Sequence, residues 1–179
     1  MIQLGEASAQ AVINASIDRI NISEWLFTLG ADEYAACAEG HQSAAQGTLP
    51  SGKRVSMNVE HVAGYFMVQH YVETISEPDR VLTVSPNTVL WLDDEHYVLL
   101  QITWELKLTR INAQSCMLTC TVGSATENAA FAEATQERIK DIDQDDRPFQ
   151  MHIREETPQF AKDIERKALA RVWDTITVN

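Results

Sequence analysis

Five histidines are the residues of this sequence best suited to chemistry, because a neutral imidazole can bind a metal ion or move a proton near neutral pH. They are His41, His61, His70, His96 and His152. No two of them form an H-x-x-x-H or H-E-x-x-H pattern, and no group of cysteines and histidines has the spacing of zinc ligands. The sequence therefore predicts no metal site and no cofactor.

His70 is the histidine most open to a functional interpretation. It shares strand parity with Phe66, Val68 and Val72, which predicts that its side chain points into the interior. There, a neutral imidazole could exchange a proton with a bound ligand. The pattern leaves open the alternative of a structural histidine or one that points outward.

The acidic residues Asp141, Asp143 and Asp145 begin like a calcium-binding loop, with carboxylates at alternate positions. Such a loop needs a glycine where this sequence has Asp146 and a closing glutamate where it has His152. We therefore expect a solvated acidic loop. No G-x-S-x-G, P-loop or G-x-G-x-x-G motif is present either, so the sequence identifies no catalytic residue.

Composition limits the partners of this chain. Its 179 residues include 26 Asp and Glu against 14 Lys and Arg, which gives a net charge of −12. An acidic surface disfavours nucleic acid and anionic membranes, since both attract basic proteins. No apolar run approaches the ~18 residues that span a bilayer, and the N-terminal stretch lacks the features of a signal peptide. We expect a cytoplasmic protein without stable membrane association; its oligomeric state is not predicted.

The three cysteines are predicted to be buried thiols. Cys37, Cys116 and Cys120 are odd in number and include no C-x-x-C pair. Cys116 and Cys120 fall on the same face of a predicted strand, too far apart along it to bond to each other.

The elements that must position these residues are mostly strands. Alternation of apolar residues predicts a first strand at Ala9 to Ile17. Short connections rich in turn residues then predict an antiparallel meander. Its strands are expected at 41–48, 54–61, 65–75, 80–92, 97–110 and 115–124. One face of the stretch 97–110 is the clearest apolar surface, with Val98, Leu100, Ile102, Trp104, Leu106 and Leu108.

Helices are predicted on either side of this meander. Two short helices follow the first strand, the first capped by Asn21 and the second at Asp32 to Glu39. After the meander, Ser124 has the spacing of a cap for a helix at about Glu127 to Ile142. A last amphipathic helix is expected from Thr157 to Trp173, with Thr157 as its cap and Pro158 in its first position. This helix is long enough to cover the apolar face of the sheet.

The order of these elements resembles the helix-grip fold of the START-related superfamily (SRPBCC), in particular its polyketide cyclase/dehydrase-like branch. The segments that carry the resemblance are Ala11 to Leu26, Tyr71 to Val84 and Thr157 to Trp173. The resemblance implies a single α+β domain over 1–179, in which a curved sheet of about seven strands wraps around the C-terminal helix. It departs from the usual plan at about 125–150, where an acidic helical insertion is expected near the mouth of the cavity.

The resemblance also implies a function, because these folds enclose a cavity for apolar ligands. We expect a hydrophobic small molecule, such as a lipid or polyketide, to bind between the sheet and the C-terminal helix. A cyclase- or aromatase-type enzyme and a co-chaperone-like interaction module are the alternatives. The residues expected to contact the ligand are Met57, His70, Trp104, Phe160 and Ile164.

Overall fold

Seven antiparallel strands form one sheet in the computed structural model, which describes residues 1–174. The strands are β1 (Ile2–Ile13), β2 (His41–Thr48), β3 (Arg54–Val62), β4 (Tyr65–Glu77), β5 (Arg80–Trp91), β6 (Tyr97–Asn112) and β7 (Ser115–Thr126). Their spatial order is β1-β7-β6-β5-β4-β3-β2, so β2 to β7 form a meander while β1 pairs with β7. The predicted α+β fold is confirmed.

Within residues 1–174, four α-helices accompany the sheet: α1 (Ile22–Thr28), α2 (Ala31–Ala35), α3 (Ala129–Ile139) and α4 (Pro148–Leu169). The two short helices follow β1 as predicted, and the Asn21 side chain caps α1 by accepting a hydrogen bond from the Glu24 amide at 3.1 Å. Helix α4 packs mainly against β1 and also contacts β7 and β3. Within residues 1–174, no helix is long and apolar enough to cross a membrane.

Helix α4 begins at Pro148, so the predicted start at Thr157 is wrong. Thr157 and Pro158 lie inside the helix, and the Thr157 hydroxyl donates to the carbonyl oxygen of Ile153 at 2.6 Å. An internal proline removes one backbone donor and crowds the carbonyl four residues earlier. Tertiary contacts hold the turns before Pro158 in place, because Ile153 is buried in the core and Gln150 Nε2 donates to the carbonyl oxygen of Ser8 at 2.8 Å.

Other boundaries differ from the sequence expectation in smaller ways. Strand β1 covers Ile2–Ile13 because its pairing with β7 starts at Ile2, well before the alternation seen at Ala9 to Ile17. The cap of α3 is Asn128, whose side chain accepts from a backbone amide one turn later, whereas Ser124 stays in β7. Helix α4 ends before Trp173.

The apolar core lies between the sheet and α4. Trp25 of α1 packs edge-on against Phe160 of α4, with ring centroids 5.2 Å apart. All three cysteines are free and buried, as predicted. The predicted inward face of β6 is confirmed, because every one of its six apolar residues is buried: Val98, Leu100, Ile102, Trp104, Leu106 and Leu108.

Candidate functional site

A cavity of about 500 Å³ lies between the sheet and the chain that connects β7 to α4. Strands β1, β4, β5 and β6 form its floor, and most of its wall is hydrocarbon. Representative lining residues are Leu4, Met67, Leu90, Leu100, Ile102 and Phe131. A space of this size and chemistry suits an apolar small molecule, since ligand pockets commonly have volumes of ~300–1,000 Å³.

Helix α3 forms one wall of this cavity. The apolar stripe Phe131, Thr135 and Ile139, together with Ile142 beyond the helix end, lines the space. Only Ala132 of α3 is buried, so this wall packs lightly on the rest of the protein. The segment at about 125–150 therefore lies over the cavity.

Two arginines introduce positive charge into this mostly apolar wall. Arg138 lines the cavity and donates from Nη1 to the Tyr65 hydroxyl at 2.6 Å. Arg147 also lines it, and its buried Nε has no hydrogen-bond partner among residues 1–174. A buried donor without an acceptor is costly, so an oxygen acceptor on a ligand would stabilise this side chain.

Beneath the cavity, the inward face of β3 and β4 is polar, which the apolar alternation did not predict. His70 lies on the opposite face, so the expectation that it points inward is wrong. The buried polar residues on this face are Asn58, Glu60, Gln69 and Tyr71. Several of their polar atoms are paired, because Ser56 donates to Asn58 Oδ1 at 2.9 Å and Glu60 accepts from both Gln69 and the Tyr34 hydroxyl.

The most concentrated polar group is a buried cluster of His41 from β2, Glu60 from β3, and His152 and Glu156 from α4, hereafter the His–Glu cluster. His41 Nε2 lies 3.1 Å from Glu156 Oε2 and 3.5 Å from Glu60 Oε2. His152 Nε2 lies 3.5 Å from Glu156 Oε2 and 3.7 Å from Glu60 Oε2. Each imidazole therefore faces both carboxylates.

Neighbouring groups fix the orientation of the cluster. The Tyr34 hydroxyl donates to Glu60 Oε2 at 2.5 Å, and Gln69 Nε2 donates to Glu60 Oε1 at 2.7 Å. His41 Nδ1 donates to the carbonyl oxygen of Tyr34 at 2.8 Å, and the two rings stack with centroids 3.8 Å apart. Because Nδ1 carries the proton, the Nε2 atom of a neutral His41 presents its lone pair to the carboxylates.

Burial and the neighbouring charges shift the pKa values of the cluster residues in opposite directions. Burial tends to raise the pKa of Glu60, but His152, His41 and the Tyr34 hydroxyl outweigh it and hold the pKa below its ordinary value. For Glu156 burial dominates, and its pKa is raised despite the nearby imidazoles. Burial tends to lower the pKa of His152, yet the two carboxylates raise it overall. The two imidazoles and the Tyr34 hydroxyl thus stabilise the charged form of Glu60 in the interior.

A smaller space of about 20 Å³ adjoins the cluster and is bounded by Glu60, Gln69, His152 and Glu156. Gln69 Oε1 is buried and has no hydrogen-bond partner among the described residues. Phe149 lines both this space and the large cavity. Phe149 thus lies at the boundary between the space beside the polar cluster and the apolar cavity.

None of the five residues expected to contact a ligand lines the large cavity. Met57 is 41% exposed, and His70 lies on the same outward face. Phe160 and Ile164 are fully buried in the core, while Trp104 borders the smaller space. Ligand contact by these residues stays a prediction.

Sequence reasoning missed the His–Glu cluster because its members come from three separate elements. The one local signal was the spacing of His152 and Glu156, which places both on one face of a helix. That signal was hidden because the helix was expected to start only at Thr157. Met57 was the β3 residue expected to contact a ligand, whereas Glu60, at the opposite parity of this strand, is the buried one.

Comparison with solved structures identifies which known folds the chain resembles. No protein-family model matches the chain, and no curated protein does. Among solved structures, the Zhui aromatase/cyclase from Streptomyces sp. R1128 has a TM-score of 0.60 at 12% identity, covering 91% of this chain and 94% of that one. TTHA0849 from Thermus thermophilus has a TM-score of 0.60 at 13% identity, covering 93% and 98%.

A third structure, the di-domain ARO/CYC StfQ from the steffimycin biosynthetic pathway, has a TM-score of 0.56 at 9% identity. It covers 94% of this chain, which in turn spans 53% of StfQ. At such low identities the likeness concerns the fold alone. The chain has the START-like helix-grip fold.

Proposed function

We propose that this protein binds a hydrophobic small molecule in the cavity of about 500 Å³. The observation that carries the proposal is the lining of that cavity, which is mostly aliphatic and aromatic. Burying apolar ligand surface there contributes about 25 cal/mol per Å². An interaction module would instead be expected to have a filled interior, so the cavity favours ligand binding.

The arginines suggest which end of the ligand lies where. Arg147 and Arg138 stand on the side of the cavity formed by the connection to α4, whereas Leu100 and Ile102 line the sheet side. An amphipathic ligand would place its hydrocarbon on the sheet and an oxygen acceptor, such as a carbonyl or carboxylate, against Arg147. Hydrogen bonds to a charged group contribute about 1.5–3 kcal/mol, which suffices to orient such a molecule.

A second candidate is a cyclase- or aromatase-type enzyme, and the position of the His–Glu cluster favours it. Phe149 lines both the cavity and the space bordered by His152 and Glu156. Displacement of that ring would bring a carbonyl group of a chain folded in the cavity towards these polar side chains. The fold likeness to the Zhui aromatase/cyclase is compatible with this candidate and does not assign it.

Native mass spectrometry of the purified full chain tests the primary proposal. We expect either a co-purified apolar molecule or, after solvent extraction, saturable 1:1 binding of a long-chain fatty acid that displaces a hydrophobic fluorescent dye. A protein that carries no ligand and binds neither fatty acid nor dye would refute ligand binding. Conversion of a polyketide-like poly-β-ketone by the purified protein would establish the enzyme candidate instead.

A further inference from the structure

The His–Glu cluster has the composition of a metal-binding site. One ligand atom from each of His41, His152 and Glu156 can be chosen so that all three lie within 4.8 Å of one another, and all three residues are buried. Two imidazoles and a carboxylate are a common donor set for zinc and for other first-row divalent metals.

The distances within the cluster fit a shared ion. Zinc binds nitrogen and carboxylate oxygen at about 2.0–2.2 Å, which places neighbouring tetrahedral ligands about 3.3–3.6 Å apart. Glu156 Oε2 lies 3.1 Å from His41 Nε2 and 3.5 Å from His152 Nε2. Shifts of a few tenths of an ångström would bring these atoms into coordination.

We propose that His41, His152 and Glu156 bind a divalent first-row transition-metal ion, with zinc as the best fit, and that Glu60 supplies the fourth ligand. Glu60 Oε2 faces both imidazoles, at 3.5 Å from His41 Nε2 and 3.7 Å from His152 Nε2. The site lies outside the large apolar cavity, so the proposal stands independently of ligand binding.

Hydrogen bonds to the proposed ligands resemble those that orient the ligands of known metal sites. A metal-bound histidine normally donates its other ring N–H to a carbonyl or carboxylate, which fixes the tautomer. His41 does this through Nδ1 to the carbonyl oxygen of Tyr34 at 2.8 Å. The second carboxylate is held in turn, because Tyr34 and Gln69 both donate to Glu60.

Charge balance also favours an ion. Glu60 and Glu156 are 5% and 4% exposed, and two buried carboxylates in contact with the same pair of imidazoles are costly unless they are neutralised. A divalent ion between neutral imidazoles would cancel both negative charges. The competing arrangement is a metal-free network. His41 Nε2 and Glu156 Oε2 lie within hydrogen-bonding distance at 3.1 Å, but His152 Nε2 comes no closer than 3.5 Å to either carboxylate, which is long for a charge-assisted hydrogen bond.

The adjoining space of about 20 Å³ gives such an ion an open side. This volume suits a single water molecule, which would find the unpaired Oε1 of Gln69 as an acceptor. The four proposed protein ligands complete a tetrahedral set, as in structural zinc sites. The space leaves room for a water molecule beside the ion, on the side nearest Phe149.

Zinc titration of the untagged, chelator-treated full chain tests this proposal. We expect one zinc ion per chain by calorimetry and by elemental analysis after dialysis, together with a zinc-dependent rise in Tm. His152→Gln and Glu156→Gln should each weaken zinc binding by more than about tenfold. The matched control is His96→Ala, because His96 also contacts a carboxylate, Asp93 at 2.8 Å, but is exposed.

Cobalt(II) provides a readout that does not depend on a variant that folds. The wild-type chain should give the intense visible absorption of four-coordinate cobalt without a thiolate charge-transfer band, since no cysteine is a proposed ligand. Absence of stoichiometric zinc and cobalt binding in the wild type would overturn the proposal. So would zinc binding that survives in a folded His152→Gln variant or is lost in His96→Ala.

Discussion

His41 and Glu156 meet 3.1 Å apart in the interior although 115 positions separate them in the sequence. His41 begins β2, which is one edge strand of the sheet, whereas the helix that carries Glu156 packs mainly on β1, the opposite edge. The pair therefore joins α4 to the far side of the sheet. This contact closes the sheet around its helix at the same place where the polar cluster forms.

Filling the cavity should abolish ligand binding. Ala7 is buried in β1 and lines the cavity, so Ala7→Phe would place a ring in the space that a ligand needs. We expect binding of a long-chain fatty acid to weaken by at least about tenfold, measured by dye displacement. The new ring displaces ligand hydrocarbon of about its own size from the cavity, and burial of that much apolar surface contributes more than about 1.4 kcal/mol. Val12→Phe is the control, because Val12 lies on the same strand and is 49% exposed. Equal affinities for the two variants would contradict the location of the site.

Arg147 should discriminate between ligands by their polar end. Arg147→Leu removes the buried Nε donor, so a fatty acid should bind about 10-fold more weakly, whereas the alcohol of the same chain length should lose much less. Arg154→Leu is the matched control, since Arg154 is on α4 and pairs with Asp145 at the surface. Calorimetric titration with both ligands checks this. A uniform loss for acid and alcohol would point to a packing role for Arg147.

A substitution of Phe160 tests whether this core residue, which the sequence led us to expect in contact with a ligand, touches one. Phe160 is fully buried and packs against the rings of Trp25 and Trp104. Phe160→Leu should lower the free energy of unfolding by about 1–2 kcal/mol in urea titrations, because the lost ring leaves a cavity. Affinity for a fatty acid should stay the same in the folded protein. The exposed Leu169→Ala, on the same helix, should change neither quantity.

The start of α4 gives a direct test between the sequence expectation and the structure. Pro158→Ala should raise the free energy of unfolding by about 1–2 kcal/mol, because it restores a backbone donor in the helix interior and relieves the clash with the preceding turn. Pro148→Ala should have little effect, since a first-turn proline gives up no helical hydrogen bond. Chemical denaturation measures both. The opposite pattern would indicate a helix that begins at Thr157.

Strands β2 and β3 show why part of the molecule could be predicted from the sequence and part could not. Strand positions were readable because turn residues mark their ends, and β2 runs from His41 to Thr48 as expected. The inward face of β3 was not readable, because Glu60 is stabilised there by groups from distant segments, such as Tyr34 and His152. Local periodicity carries no information about partners that far away.

The cavity and the His–Glu cluster also differ in how far the sequence could predict them. A helix was expected from the sequence at about Glu127 to Ile142, and the apolar stripe of the corresponding helix α3 lines the cavity. Its distance from the sheet, which decides the cavity volume, depends on the packing of every element between them. The cluster required three elements to converge, so only the spacing of His152 and Glu156 on α4 could have indicated it.

Acid should weaken the hydrogen bond between Trp25 and Asp163, which joins α1 to α4. Asp163 accepts a hydrogen bond from Trp25 Nε1 at 2.8 Å and pairs with Lys167 Nζ at 3.1 Å. Burial tends to raise the pKa of Asp163, but the hydrogen bonds from Trp25, Arg166 and Lys167 outweigh it and hold the pKa below its ordinary value. A carboxyl group with a lowered pKa in the folded state binds its proton more readily after unfolding, so it contributes stability above its ordinary pKa and loses it as the pH falls through the folded value.

Asp163→Asn should therefore destabilise the protein by about 1 kcal/mol near neutral pH, since it removes charge-assisted hydrogen bonds while preserving shape. The difference in unfolding free energy between wild type and variant should stay constant down to about pH 5 and shrink progressively below about pH 4, because Asp163 then binds a proton in the unfolded chain more readily than in the folded protein. Urea titrations between pH 3 and pH 7 measure it, with the exposed Asp32→Asn as the control. A difference that is independent of pH would mean that the charge of Asp163 contributes nothing, and that Trp25 needs only a neutral acceptor to hold α1 against α4.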